Sequence, residues 1–285
     1  ALNLRFVPHK KVIARAKALL RTAKLRPEAF EPRVFVFACD WASRRGVDLG
    51  LIQKVPGSRN VRATKLTCMG ALDPLFVVEA FLNGADGVLA VGCAGEDCNF
   101  AGSNLVTEAK AKWVQALLAE VGLEPERFRL ALIPLAEGRE RFVSELSSFL
   151  EVIRELGPSP VAGPEPDEEL RKRMEAAEMA LSIFRLRALI GHERYLIEEG
   201  NAYGEKAKPE ELWPIIRDAL SAEYERARVL LALKGGPKSV RQLASELGID
   251  AARTLKHITV LRARRLVELH GVEGTSPLYV AVGGA

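Results

Sequence analysis

The chain has 285 residues, 48% of them hydrophobic and 27% charged, which allows about two domains of ordinary size and excludes wholesale disorder. No stretch approaches the roughly 18 uninterrupted apolar residues of a membrane span, and the basic start lacks the apolar core of a secretory signal, so a cytoplasmic protein is expected. The net charge of +4 hides segregation: residues 1–27 carry +8, 28–164 carry −4, 165–225 carry −6, 226–265 carry +8 and 266–285 carry −2.

Val12, Ile13, Ala16, Leu19 and Leu20 recur at helical spacing between Pro8 and Pro27. They predict a basic amphipathic helix within residues 1–32, too short to fold alone and therefore a docking element. From residue 33 to 157 the pattern alternates strand and helix. Strands are expected at 33–38 (RVFVFA), 61–67 (VRATKLT), 87–92 (GVLAVG) and 129–134, and helices at 75–82, 103–121 and 138–156. The connection between the first two strands has no clear period. Such alternation predicts an α/β domain, a parallel four-stranded sheet with flanking helices and right-handed crossovers. Residues 158–166 (PSPVAGPEP) read as an interdomain linker. Residues 167–235 look helical, with one breaker region at 200–209.

The last segment, 236–285, has its own logic. Ser239 and Gln242 form a capping box, Gly248 stops that helix, and Asp250 caps a second. Leu255, Ile258 and Leu261 are expected inward on the second helix, and Arg253, Lys256, His257, Val260 and Arg264 outward. Strands at 266–270 and 278–282 flank a turn-rich loop, 271–277. Helix, turn, helix and hairpin predict a winged-helix-like domain.

All four cysteines fall where ligands gather in an open parallel sheet, beyond the carboxyl ends of the strands. Cys39, Cys68 and Cys93 end the first three strands, and Cys98 follows in a loop. Four thiolates suit tetrahedral zinc or an iron–sulfur cluster. Zinc usually draws on short-spaced pairs, whereas only Cys93 and Cys98 are close here, so the spacing leans to a cluster. Gly70, Gly92, Gly95 and Gly102 allow close backbone approach, and Trp41 is placed to shield the site. Asp40, Glu96 and Asp97 read as loop carboxylates near the centre. The histidines (His9, His192, His257, His270) are dispersed, no phosphate-binding loop follows a strand, and no nucleophile triad is visible. The chain is expected to carry electrons and to transform no substrate itself.

Two stretches, FACDWASRRGVDLG (37–50) and CMGALDPLFVVEAFLNGADGVLAVGCAGEDC (68–98), resemble the delta subunit of the methyl-viologen-reducing hydrogenase family. The resemblance spans residues 33–157. It implies a [2Fe–2S] cluster on Cys39, Cys68, Cys93 and Cys98. It also implies electron relay between a hydrogenase or formate dehydrogenase and the flavoprotein of a heterodisulfide-reductase-like, electron-bifurcating complex. Members of the family often carry another Cys at the position of Ala42, and its absence leaves four candidate ligands here. The alternative is a redox-sensing iron–sulfur transcription regulator acting through the winged helix; a zinc-stabilised scaffold is the third reading. Because the wing has Glu273 and no Lys or Arg, the tail is expected to dock protein and nucleic acid is not expected as its partner.

Overall fold

A computed structural model of the chain describes residues 9–21, 30–161, 163 and 165–283, in two compact units, Ala1–Met174 and Glu175–Ala285. In the first unit, β1 (Val34–Cys39), β2 (Arg62–Leu66), β3 (Gly87–Cys93) and β4 (Phe128–Ile133) form the expected four-stranded sheet, all parallel, in the order β2-β1-β3-β4. Every residue of the inner strands β1 and β3 is buried, because a parallel sheet is covered on both faces. The edge strands mix buried positions with half-buried ones, and β2 has one exposed position as well.

The loosely patterned first connection holds a short helix, α2 (Asp40–Arg45), and a 3₁₀ turn, Leu49–Lys54. Asp73 caps α3 (Pro74–Leu82) by accepting from the Leu75 amide at 3.0 Å, with Pro74 in the first turn, where its missing N–H is harmless. The helices α4 (Ser103–Val121) and α5 (Gly138–Leu156) keep the bounds read from the sequence. The helices α3 and α4 pack together, while α5 packs on β3, β4 and the 3₁₀ turn Leu49–Lys54 of the first connection. Gly87 lets α5 close on β3: a Cβ there would stand 2.7 Å from Ile153 and 3.0 Å from Phe149.

Before the sheet comes α1 (His9–Arg21), which lies against α3 and β2. Val12, Ala16 and Leu20 are buried, Ile13 and Leu19 half-buried, and Lys17 reaches Glu79 at 3.4 Å. The expected flanks Pro8 and Pro27 lie outside the described residues.

The Pro/Gly-rich stretch differs from a free linker. Ser159 and Val161 are fully buried, and the Ser159 amide donates to Asp86 at 2.9 Å. Asp86 also accepts from the Arg33 amide at 2.8 Å and its guanidinium at 3.2 Å. The buried Arg127 donates to the carbonyls of Asp86 at 3.1 Å, Gly157 at 2.9 Å and Leu156 at 3.2 Å. Backbone that would otherwise need water is thus satisfied from within. The units divide after Met174, inside α6 (Glu168–Leu181). Of this stretch, residues 162 and 164 lie outside the described residues.

In the second unit, α7 (Phe184–Glu198) follows a break at Ser182–Ile183 that no Gly or Pro in the sequence marks. The long α8 (Pro209–Lys234) follows the expected breaker. Then come β5 (Lys238–Ser239), α9 (Val240–Leu247), α10 (Ala251–Ala263), β6 (Val267–Glu273) and β7 (Ser276–Ala281), with the sheet ordered β5-β7-β6. The capping box is present: the Ser239 amide donates to the Gln242 side chain at 2.7 Å, and the Gln242 amide to the Ser239 hydroxyl at 3.3 Å. The core joins Val229 and Leu233 of α8 to Leu243, Ile258, Leu261, Val267 and Tyr279, so the winged helix begins in α8 rather than at residue 236.

Two local expectations are corrected. Leu255 is 47% exposed, whereas Thr254 and His257 take the inner positions of α10. The reason lies on α8, where Glu225 meets His257 Nε2 at 2.6 Å and also pairs with Arg253. The outer face of α10 is therefore Ala252, Leu255, Lys256, Thr259 and Arg262. The loop 271–277 is mostly strand, since Val272 pairs with Pro277 and Glu273 with Ser276 around a tight Gly274-Thr275 turn.

Deeper in this unit, Glu223 is fully buried. Arg264 grips both its oxygens at 2.8 Å each, with Arg226 at 2.7 Å and Arg185 at 3.2 Å. One carboxylate thereby ties α7, α8 and the end of α10.

Candidate metal centre

The strand ends deliver the cysteines. Cys39 closes β1 and is buried, Cys93 closes β3 and is buried, and Cys68 follows β2 by two residues. Cys98 caps the 3₁₀ turn Gly95–Asp97, and all four are free thiols. Parallel pairing sets the first two side by side, because Cys39 is in register with Leu66 on β2 and its neighbour Ala38 with Val91 on β3.

The thiols influence one another in a row: Cys68 with Cys39, Cys39 with Cys93, and Cys93 with Cys98. Their acidities follow from these interactions. Cys68 is pushed far above the ordinary thiol range by its hydrogen bond to Cys39 and by burial. Cys39 is favoured as thiolate by Cys68, but its bond to Cys93 and its burial outweigh that and raise it. Cys93 is lowered, chiefly by the Cys39 hydrogen bond.

The surroundings supply donors. The Gly70 amide donates to Cys68 Sγ at 3.4 Å, and the Ser103 hydroxyl is hydrogen-bonded to the same sulfur. Cys98 donates to the Phe100 carbonyl at 3.1 Å, and the Ser43 hydroxyl to the Cys39 carbonyl at 2.8 Å. Gly95 and Gly102 turn the loop in left-handed backbone, with φ of 48° and 72°. Gly92 leaves room for Met69, whose Cγ would stand 3.1 Å from a Cβ there. Trp41 is half-buried, with the Arg45 guanidinium 4.7 Å from its ring centre.

Two of the three nearby carboxylates have structural work. Asp40 is held below its ordinary pKa by Arg44, at 2.9 Å, with Lys65 also at 3.5 Å. Asp97 accepts from the Leu135 amide at 2.8 Å and fastens the cysteine loop to the end of β4. Glu96 is exposed. Sequence reasoning missed Ser103 and Lys110, whose ammonium holds the Gly70 carbonyl at 2.7 Å. Their only signal was that α4 begins directly after the Cys98 loop.

Among the described residues, no three of His, Cys, Asp and Glu are gathered as the ligands of one metal ion. The donor set itself suits thiolate ligation: four thiols near the carboxyl edge of the sheet, coupled pairwise, with an amide donating to one of them.

The segment that holds the cysteines matches known proteins. The family model for the methyl-viologen-reducing hydrogenase delta subunit matches residues 34–157. An iron-sulfur subunit of the F420-non-reducing hydrogenase of Archaeoglobus profundus is 36% identical over 131 residues, 46% of this chain and 95% of that protein. The chain belongs to the methyl-viologen-reducing hydrogenase delta subunit family. The corresponding iron-sulfur subunit of an F420-non-reducing hydrogenase from Methanococcus voltae is 30% identical over 131 residues, 46% of this chain and 90% of its own length. One chain of the ferredoxin:CoB-CoM heterodisulfide reductase of Methanosarcina mazei is 34% identical over 127 residues, which are 45% of this chain and only 16% of that protein. The family's fold thus occurs both as a free-standing protein and as a small part of a longer one. A second family model, described as bacterial regulatory protein, arsR family, matches residues 225–268, the winged helix built on α8. No described helix is long and apolar enough to cross a membrane.

Proposed function

We propose that this chain is an electron-transfer subunit carrying one [2Fe–2S] cluster on Cys39, Cys68, Cys93 and Cys98. Its partners are a hydrogenase- or formate-dehydrogenase-type module and the flavoprotein of a heterodisulfide-reductase-like, bifurcating complex. The observation that carries this is the row of four thiols at the carboxyl edge of the sheet. A row yields two adjacent pairs, Cys68 with Cys39 and Cys93 with Cys98, and a two-iron cluster takes two thiolates on each iron. The relatives named as hydrogenase iron-sulfur subunits and as heterodisulfide reductase support the choice of complex.

When bound, the cluster supplies one-electron redox chemistry; the chain's part is to set its environment. Burial of Cys39 and Cys93 keeps water from two sulfurs, and the Gly70 amide and Ser103 hydroxyl stabilise negative charge on the sulfur of Cys68. Asp97 and Lys110 hold the two loops that bear Cys98 and Cys68. Iron and acid-labile sulfide analysis of anaerobically prepared full chain tests the reading. Equal iron and sulfide is the expected result; zinc in their place would leave the scaffold reading.

The winged helix we read as a protein-docking module. Arg253, His257 and Arg264, read as outward cations, are engaged by Glu225 and Glu223, and the tight wing turn carries Glu273 beside it. The arsR-type match favours the regulator as the second reading. Sequence-selective DNA binding at about 0.2 M salt, changing with oxidation state, would establish it; binding erased by salt would exclude it.

A further inference from the structure

We propose that the outer face of α1 docks an acidic protein surface. The choice of a protein, a redox partner, rests on the electron-carrier reading above; the charge argument does not.

The helix has five Lys and Arg and no acid in its 13 residues. Its apolar side is already used: Val12, Ala16 and Leu20 are buried in the packing of α1 on α3 and β2, and Lys17 is tied to Glu79. An amphipathic helix free to enter a lipid surface would keep that side open. What remains outward is Lys10, Lys11, Arg15 and Arg21, all exposed, and none has an ion-pair partner among the described residues.

This arrangement works against the helix itself. Lys10 and Lys11 occupy the first turn, where the helix dipole favours carboxylates. Lys11 and Arg15 are like charges four residues apart, which repel along the helix. A charge pattern that its own helix disfavours is compensated when an acidic surface covers it. The family match begins at residue 34, so α1 is an addition to the shared domain, laid over the edge strand β2. Arg59, just before β2, is exposed and adds a cation at that edge, whereas Lys65 is paired with Asp40 and Arg62 is held by backbone carbonyls. The strand under this helix leads to Cys68, a candidate ligand.

The test uses the full chain and, as probe, an acidic [2Fe–2S] ferredoxin, with a duplex DNA and phosphatidylserine-containing vesicles as the competing anions. Binding is titrated at about 0.05 M and about 0.3 M salt, where screening differs strongly. The variant K10E/K11E/R15E places two of its three carboxylates in the first turn, where the helix dipole welcomes them, and circular dichroism checks that the helix is retained. Expected is a loss of about tenfold or more in ferredoxin affinity, the order that electrostatic complementarity supplies, in the variant and at high salt. K10R/K11R should bind as the natural chain does. Ferredoxin affinity unchanged by K10E/K11E/R15E overturns the proposal, as does a variant that loses only DNA or only vesicles. Because binding is read without electron flow, a chain lacking iron that still shows the α1-dependent affinity would sink the carrier reading and leave the docking surface intact.

Discussion

The two units bury their reactive groups in opposite ways. In the second, Glu223 is fully enclosed, yet three guanidiniums from three places in the sequence neutralise it. Glu225 beside it is likewise shared between His257 and Arg253. Those carboxylates are accounted for by structure alone. In the first unit the four thiols have one another, a few backbone groups, among them the Gly70 amide and the Phe100 carbonyl, and one hydroxyl, and their acidities diverge because they influence one another. Groups that satisfy each other within the chain build the fold. Groups of one kind converging on a sheet edge, where the fold gains little from them, point to a ligand.

That contrast can be broken at either end. The largest effect is expected at the cysteines: replacing Cys39, Cys68, Cys93 or Cys98 by Ser should abolish or grossly change the visible absorption of the anaerobic protein. The denaturation midpoint of the second unit should not move. If Cys98→Ser kept the natural spectrum and iron content, the ligand row would have to be redrawn.

At the other end, Glu223→Ala strands three guanidiniums, one of them largely buried, and should destabilise the second unit by roughly 3–5 kcal/mol in urea unfolding. The absorption of the first unit should stay the same. A loss below about 1 kcal/mol would mean the cluster of charges contributes little.

The pH dependence follows the same division. Burial opposes ionisation of Glu223 and Glu225, but their hydrogen bonds, chiefly from Arg264 and from His257 and Arg253, lower both pKa values below the ordinary one. A carboxylate lowered on folding lends stability that is complete above its unfolded pKa, about 4.3, and is lost as pH falls through the folded value. Circular dichroism of the helical second unit should therefore decline only below about pH 4.5. The Glu225→Gln variant should show a shallower acid dependence. A decline between pH 8 and 6 would indicate a different group.

The smallest effect separates the two faces of α10. Ile258→Ala should lower stability by about 2–5 kcal/mol, whereas Leu255→Ala should stay within about 0.5 kcal/mol. Equal losses at both would restore the inward Leu255.

That pair also shows where the sequence was legible. The sheet, α4 and α5 could be read because buried strands and long helices repeat their patterns over many residues, and Gly122 and Gly157 end the helices visibly. The convergence of Cys39, Cys68 and Cys93 followed from the parallel topology alone. Hidden features depended on distant partners. The phase of α10 is turned by Glu225, some thirty residues away on α8. The Pro/Gly stretch is fixed by Asp86 and Arg127. Ser103 reaches Cys68 only once the start of α4 packs on the 3₁₀ turn Met69–Ala71 that follows Cys68. The first crossover stayed unread because six-residue turns, α2 and Leu49–Lys54, are too short to show a period.

The most direct test of the central claim is paramagnetic resonance of the full chain, purified without oxygen and reduced with dithionite, beside the same chain carrying Cys68→Ser. A reduced [2Fe–2S] signal in the natural chain, lost or strongly shifted in the variant, is the predicted result. A silent spectrum with bound zinc, or a cluster signal indifferent to Cys68, would contradict the account.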